Sequence, residues 1–451
     1  MQPYPRIALT ENSRHSHPAT QHPFVTMSQS LPRMFRVRQN FPRPAALDLP
    51  AVISAQFGRL RERIKPGGRI AVGVGSRGIA NLATIVLQLI AQIRAAGAQP
   101  FVIPAMGSHG GATPDGQREL LASYGVTEAA LNAPIHTSME TKQIGTSADG
   151  VPVHCSVEAL ASDGIVIVNR VKPHTDFSGR LGSGLLKMCV IGLGKRTGAT
   201  AMHLAASRLG HERVVRGMAQ VILDRAPVLG GVAILENQFH DTARIVALPK
   251  EEIETGEESL LAEARSLMPL LPFEEIDLLI VDHLGKNVSG SGMDPNVIGR
   301  GVQGYSGSLQ RGDRPAPFIR RIFVRDLTAE THGNAIGIGL ADVTTTRLVR
   351  QMDARITSIN ALTALTPQCA KIPIHFETDR EAISLILASL AIDDPRSVRI
   401  VRILDTLSLI DMEVSEAMAK DCHGRADLSR QSDPCDMQFD EGGNLLPLIH
   451  T

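Results

Sequence analysis

In the stretch "VNRVKPHTDFSGRLGSGLLKMCVIGLGKRTGATAMH", residues 168–203, one lysine and two histidines stand where they could do chemistry. Lys187 sits in the run "LLKMCVIG", an ammonium group among residues that otherwise read as interior. The ordinary account of such a lysine is a buried stem with a solvated head. The chemical account is an amine held as the free base, because apolar surroundings disfavour its charged form and only the free base is a nucleophile. His174 precedes Lys187, and His203 follows it by sixteen residues. His109, in "GSHGGAT", adds a third imidazole, and Arg77, in "GSRG", a guanidinium. Imidazoles carry protons or bind metals near neutral pH, and a guanidinium grips a carboxylate with two hydrogen bonds.

Two other chemistries fit parts of this set. His109, His174 and His203 could hold zinc with one position open, the pattern of a hydrolase or lyase. The chain has no local pair of the H-x-H or H-E-x-x-H type to support that reading. A non-catalytic binding protein for a nucleotide-like ligand is the second alternative. The glycine-dense loop "GSHGGAT" lets backbone amides approach an anion, and Thr113 is placed to start a helix there. That loop is neither a P-loop nor a G-x-G-x-x-G fingerprint. "GSG" occurs at 182–184 and 290–292, but G-x-S-x-G occurs in neither loop, so a serine nucleophile has little support.

The elements that must hold these residues repeat one grammar. "GGRIAVGVGSRG" is a β run leading to a helical stretch, "IANLATIVLQLIAQIRAAGA", that Gly97 stops. "QPFVIPA" is a second strand, then comes the His109 loop, then a helix with Thr113 as N-cap and Pro114 in its first turn. "DGIVIVNRV" is a β-branched run of the kind buried on both faces of a parallel sheet. Strand alternating with helix implies an α/β fold with mostly parallel sheets, and ligands then collect beyond the carboxyl ends of the strands. Arg77, His109 and His174 each follow one of those strands, so they share one sheet edge.

At 451 residues the chain exceeds one ordinary core. The expected organisation is an N-terminal extension at 1–32, an α/β domain over 33–270, a second α/β domain over 271–425 and a tail at 426–451. The site is expected in the cleft between the domains, closed by the glycine-rich segments 289–292 and 333–339. Lys+Arg and Asp+Glu balance at 46 each, which provides no field for nucleic acid or an anionic membrane. Five scattered cysteines without metal spacing point to reduced thiols and a cytoplasmic protein. The oligomeric state is not legible.

The order of these motifs resembles the nickel-dependent lactate racemase family. Arginine after the first strand, "SHGG" after the second, "KPH…SG…K" after the third and a histidine sixteen residues past that lysine carry the resemblance. It spans about residues 33–425 and is most specific at 169–203, where Lys187, Gly192 and His203 keep the family's spacing. The resemblance implies a nickel pincer nucleotide, Ni(II) pyridinium-3,5-bisthiocarboxylic acid mononucleotide, bound covalently to Lys187 through a thioamide. It further implies His203 as nickel ligand, His109 and His174 as acid and base, and Arg77 on the substrate carboxylate. Ser178 and Gly179 would lie near the cofactor phosphate, and Lys286 and Arg300 are the second-domain residues for the carboxylate. The implied activity is racemisation or epimerisation of a 2-hydroxy acid, lactate-like or larger. The sequence departs from the family on the substrate side: Val74 replaces an aspartate, "GG" follows His109, and there is no tryptophan.

Overall fold

The computed structural model describes residues 30–75, 78–175, 179–302 and 317–448. Strands β1 (Met34–Gln39), β2 (Arg69–Val74), β3 (Gln99–Pro104), β4 (Thr141–Thr146), β5 (Pro152–Ser156), β6 (Gly164–Arg170), β7 (Val228–Glu236) and β8 (Thr242–Pro249) occupy the first half. The second half contributes β9 (Glu275–Leu284), β10 (Phe318–Leu327), β11 (Val343–Thr345), β12 (Ile374–Phe376), β13 (Ile400–Ile403), β14 (Asp411–Ser415) and β15 (Leu428–Arg430).

The first sheet has the order β3-β2-β6-β7-β8, parallel except for the last pair. Its central strand β6 is the "GIVIVNR" run, and successive residues face opposite layers. Ile165 and Ile167 pack with Leu185, Leu186 and Val190 on one side. Val166 and Val168 pack with Ile85, Leu89 and Ile93 on the other. Helical segments cover both faces, which explains the absence of polar alternation in the strand. Gly97 adopts φ +81 after the helix Leu82–Ala95, the left-handed stop expected of it. Thr113 accepts from the Gly116 amide with Pro114 in the first turn, as its position predicts.

The second sheet runs β12-β11-β10-β9-β13-β14-β1-β15, parallel from β12 to β13 and antiparallel beyond. Here the structure departs from the expected boundaries at 33 and 426. β1 pairs with β14 and β15, so the chain's first described strand lies in the second sheet. The tail is poor in periodicity, although its "NLLPLI" stretch is apolar enough to dock, and it supplies β15 and the buried Leu445 and Leu448. Arg325 and Arg402, both buried, donate to the Leu445 and Leu446 carbonyls at 2.7 and 2.6 Å. Backbone pairing and capture by distant arginines leave no periodic mark in a sequence.

Candidate functional site between the two sheets

Beyond the carboxyl ends of β2, β3 and β6 lies a cleft of about 960 Å³ whose walls come from both halves of the chain. His109, His174, Lys187 and His203 all line it, together with Lys286 and Ser289–Ser291 from the other side. The three histidines and the lysine therefore line one cleft. Arg77 and Ser178 lie outside the described residues.

Lys187 reaches the cleft because of its place in a helical run. Leu185–Lys187 opens as α-helix, continues as π-helical turns over Met188–Leu193, and passes into the helix Lys195–Leu209 that carries His203. Leu185, Leu186, Cys189 and Val190 enter the core, while Lys187 and Met188 turn to the cleft. Lys187 is thus half-buried, not sealed in. Among the described residues the fully buried lysine is Lys195, 1% exposed, whose Nζ donates to the Pro104 carbonyl at 2.6 Å. Sequence alone nominated the wrong lysine for burial.

The Nζ of Lys187 lies 2.6 Å from Nε2 of His174. Burial pushes the His174 imidazole well below its ordinary range, and Lys187, His211, His203 and Lys172 act in the same direction, in that order. A neutral ring can accept a hydrogen bond from the Lys187 amine through Nε2. His211 joins the group: its ring centroid stands 6.2 Å from that of His174 and 6.5 Å from that of His203. Sequence reasoning missed it: His211 follows His203 by eight residues in "HLAASRLGH", at the start of the next helix, His211–Arg225.

The second half touches the same place. Asn296 donates from Nδ2 to the His174 carbonyl at 3.2 Å, and Asp294 approaches Lys172 at 4.0 Å. The segments 289–292 and 333–339 meet backbone to backbone. Gly337 adopts φ +95, and a Cβ there would stand 1.9 Å from the Ser291 carbonyl. Only glycine permits both that conformation and that approach. Of these segments, Ser289–Ser291 and Ile336 reach the cleft.

Three expected ligands of the site fall differently. Lys286 lines the cleft and donates to the Gly290 carbonyl at 2.8 Å. Arg300 instead binds Asp342 at 2.6 Å and the Leu340 carbonyl at 2.8 Å, and it is not among the lining residues. Gly179 is also outside the lining; its carbonyl accepts from Arg265, and its Cα faces the Glu212 carboxylate. An acidic neighbour makes that point a poor one for phosphate.

Glu257 was invisible to sequence reasoning. It is fully buried, and Oε2 accepts from the Leu186 amide at 2.8 Å, at the start of the helical run bearing Lys187. Its Oε1 has no hydrogen-bond partner, and burial pushes the carboxyl up to about 7. Among the described residues no three His, Cys, Asp or Glu side chains converge as a metal-ion cage. The three-imidazole zinc site therefore gains no geometric support. No helix among the described residues is long and apolar enough to cross a membrane.

The fold and site define a class: an α/β protein with two mostly parallel sheets and a lysine-histidine site in the cleft between them. Residues 51–214 match the family model for the lactate racemase N-terminal domain. The lactate racemase apoprotein from Thermoanaerobacterium thermosaccharolyticum is similar at 14% sequence identity with TM-score 0.50, covering 84% of this chain and 99% of that one. A protein from Thermotoga maritima is similar at 12% identity and TM-score 0.48, over 82% of this chain and 99% of that one. None of the curated proteins matches. At such identity the structural likeness speaks to the fold, and the racemase-type domain speaks to the first half.

Proposed function

We propose that this chain is an isomerase of the racemase type, acting on a 2-hydroxy acid in the cleft between its sheets. The observation that carries the reading is the 2.6 Å contact of Lys187 with His174 in a cleft that His109 and His203 also line. The residues present fit a nickel pincer nucleotide. Lys187 offers an amine that faces the cleft, and His203 offers one imidazole on the same helical run, while the remaining metal donors would come from the group itself. When bound, such a group supplies a site that takes up a hydride and returns it.

The chain's own residues do the rest. His174 would take the substrate hydroxyl proton and His109 would return a proton to the product. Burial is the larger cause of the low His174 proton affinity; with Lys187 in covalent linkage its charge, the next cause, would be removed and the affinity would rise. Lys286 is the carboxylate partner from the second half, and Arg77 from the first. Asn296 fixes the His174 backbone from across the cleft. The substrate is a small soluble acid, and neither nucleic acid nor membrane has a part.

The test is the intact mass of protein purified from a host that makes the cofactor, with peptide mapping, nickel analysis and a chiral assay over a panel of 2-hydroxy acids. Added mass on Lys187, bound nickel and racemisation are expected. An unmodified Lys187 in protein that racemises would overturn the assignment of the anchor. Absence of turnover with every acid, in nickel-loaded protein modified on Lys187, would overturn the substrate class.

A further inference from the structure

The interior holds a polar bracket that the proposed reaction does not use. Lys195 and Gln117 are buried at 1% and 0% exposure. Lys195 Nζ donates to the Pro104 carbonyl at 2.6 Å and to Gln117 Oε1 at 3.4 Å. The Gln117 amide nitrogen in turn donates to the carbonyls of Met106 and Gly107, both at 3.2 Å, and of His109 at 3.3 Å. One lysine and one glutamine thus hold the backbone from the end of β3 through His109. Lys195 is also the first residue of the helix that carries His203, and it adopts φ +53 there.

We propose that Lys195 and Gln117 are positioning residues that fix His109 against the helix bearing His203. Packing around the bracket agrees with this role. At Gly107 a Cβ would stand 3.0 Å from Ala199 Cβ and 3.0 Å from Ile191 Cγ2, so the loop lies directly on the same helical run. At Gly110 a Cβ would stand 2.4 Å from the Gly116 backbone, so the turn after His109 is pressed onto the helix that carries Gln117. A structural purpose alone would be served by apolar side chains, because an ammonium taken from water is expensive. Burial lowers the Lys195 ammonium to about 8, with Glu158 and Cys155 acting in the opposite direction. The cost is explained if the loop needs hydrogen-bond donors: Lys195 and Gln117 supply them from inside to carbonyls at a strand end and in a tight turn, and the His109 carbonyl also accepts from the Ala112 amide at 3.2 Å.

The proposal rests on His109 being a proton carrier only for its catalytic consequence; the bracket itself is tested separately. Lys195→Met removes the central donor, and Gln117→Glu keeps an acceptor for Lys195 while removing the amide that binds three carbonyls. Each variant is compared with the natural chain by Tm and by the rate at which diethyl pyrocarbonate modifies His109, with His174 and His203 as internal references. The expected result is about a tenfold change at His109, the equivalent of roughly one hydrogen bond, with the other two histidines unchanged. In cofactor-loaded protein kcat should fall with KM held. Equal changes at all three histidines, or none at His109 in the folded Gln117→Glu variant, would overturn the bracket. A selective change at His109 with kcat untouched would leave the bracket standing and remove His109 from the reaction.

Discussion

The ammonium of Lys187 and the imidazole of His174 share a 2.6 Å hydrogen bond, and the lysine is the first-ranked of the charged neighbours that hold His174 in its neutral form. The two residues are thirteen positions apart and on different elements, and the lysine helps burial to keep the imidazole neutral.

Removing the ammonium should therefore release the imidazole. In Lys187→Gln the His174 titration midpoint is expected to rise toward the ordinary histidine value, followed by NMR of labelled histidine. A midpoint unchanged or lower would show that burial alone sets it. The depressed folded value also means that the unfolded chain binds the proton more readily, so the His174 contribution to stability is present above pH 6.5 and lost as pH falls.

Glu257 gives the opposite pH signature. Its carboxyl is raised from 4.5 to about 7 in the folded protein, so its contribution is full below pH 4.5 and fades as pH rises through 7. The span is worth about 3 kcal/mol at most. Glu257→Gln should flatten that part of the Tm-against-pH curve; a curve with the natural slope would mean that the carboxyl is not buried in solution.

At Gly337 the argument is steric. Gly337→Ala places a methyl group on the Ser291 carbonyl and forces φ +95 on a residue with a Cβ. A loss of roughly 2–4 kcal/mol is expected in urea unfolding, with loosening of Ser289–Ser291 at the cleft edge seen by hydrogen exchange. Stability equal to the natural chain would refute the close approach of the two segments.

Lys286 and Arg300 should separate cleanly. Lys286→Ala is expected to weaken binding of a 2-hydroxy acid, read by calorimetry, with little loss of Tm. Arg300→Ala breaks the pair with Asp342 and should cost about 1–3 kcal/mol of stability while leaving the carboxylate affinity intact. The reverse pattern would return Arg300 to the substrate.

Much of the site was legible in the chain because its residues follow strands. The β-branched run at 164–170, the glycine stop at 97 and the cap at 113 encode local geometry, and local geometry is what side-chain period and turn chemistry express. The positions of His109 and His174 past strand ends therefore already imply one shared sheet edge. Asn296, Glu257 and His211 escaped because each acts on a partner distant in sequence, through one hydrogen bond, one amide or one ring contact.

The sequence by itself determined the parallel α/β layering of the first half, the alternation of β6 between two cores, and the common edge for the histidines. Tertiary structure alone decided that Lys195 is sealed while Lys187 faces a cleft, that β1 leaves its neighbours in sequence for the second sheet, and that Arg300 serves Asp342. The physical reason is that periodicity fixes the direction of a side chain relative to its own element, whereas burial and pairing depend on what another part of the chain brings opposite it.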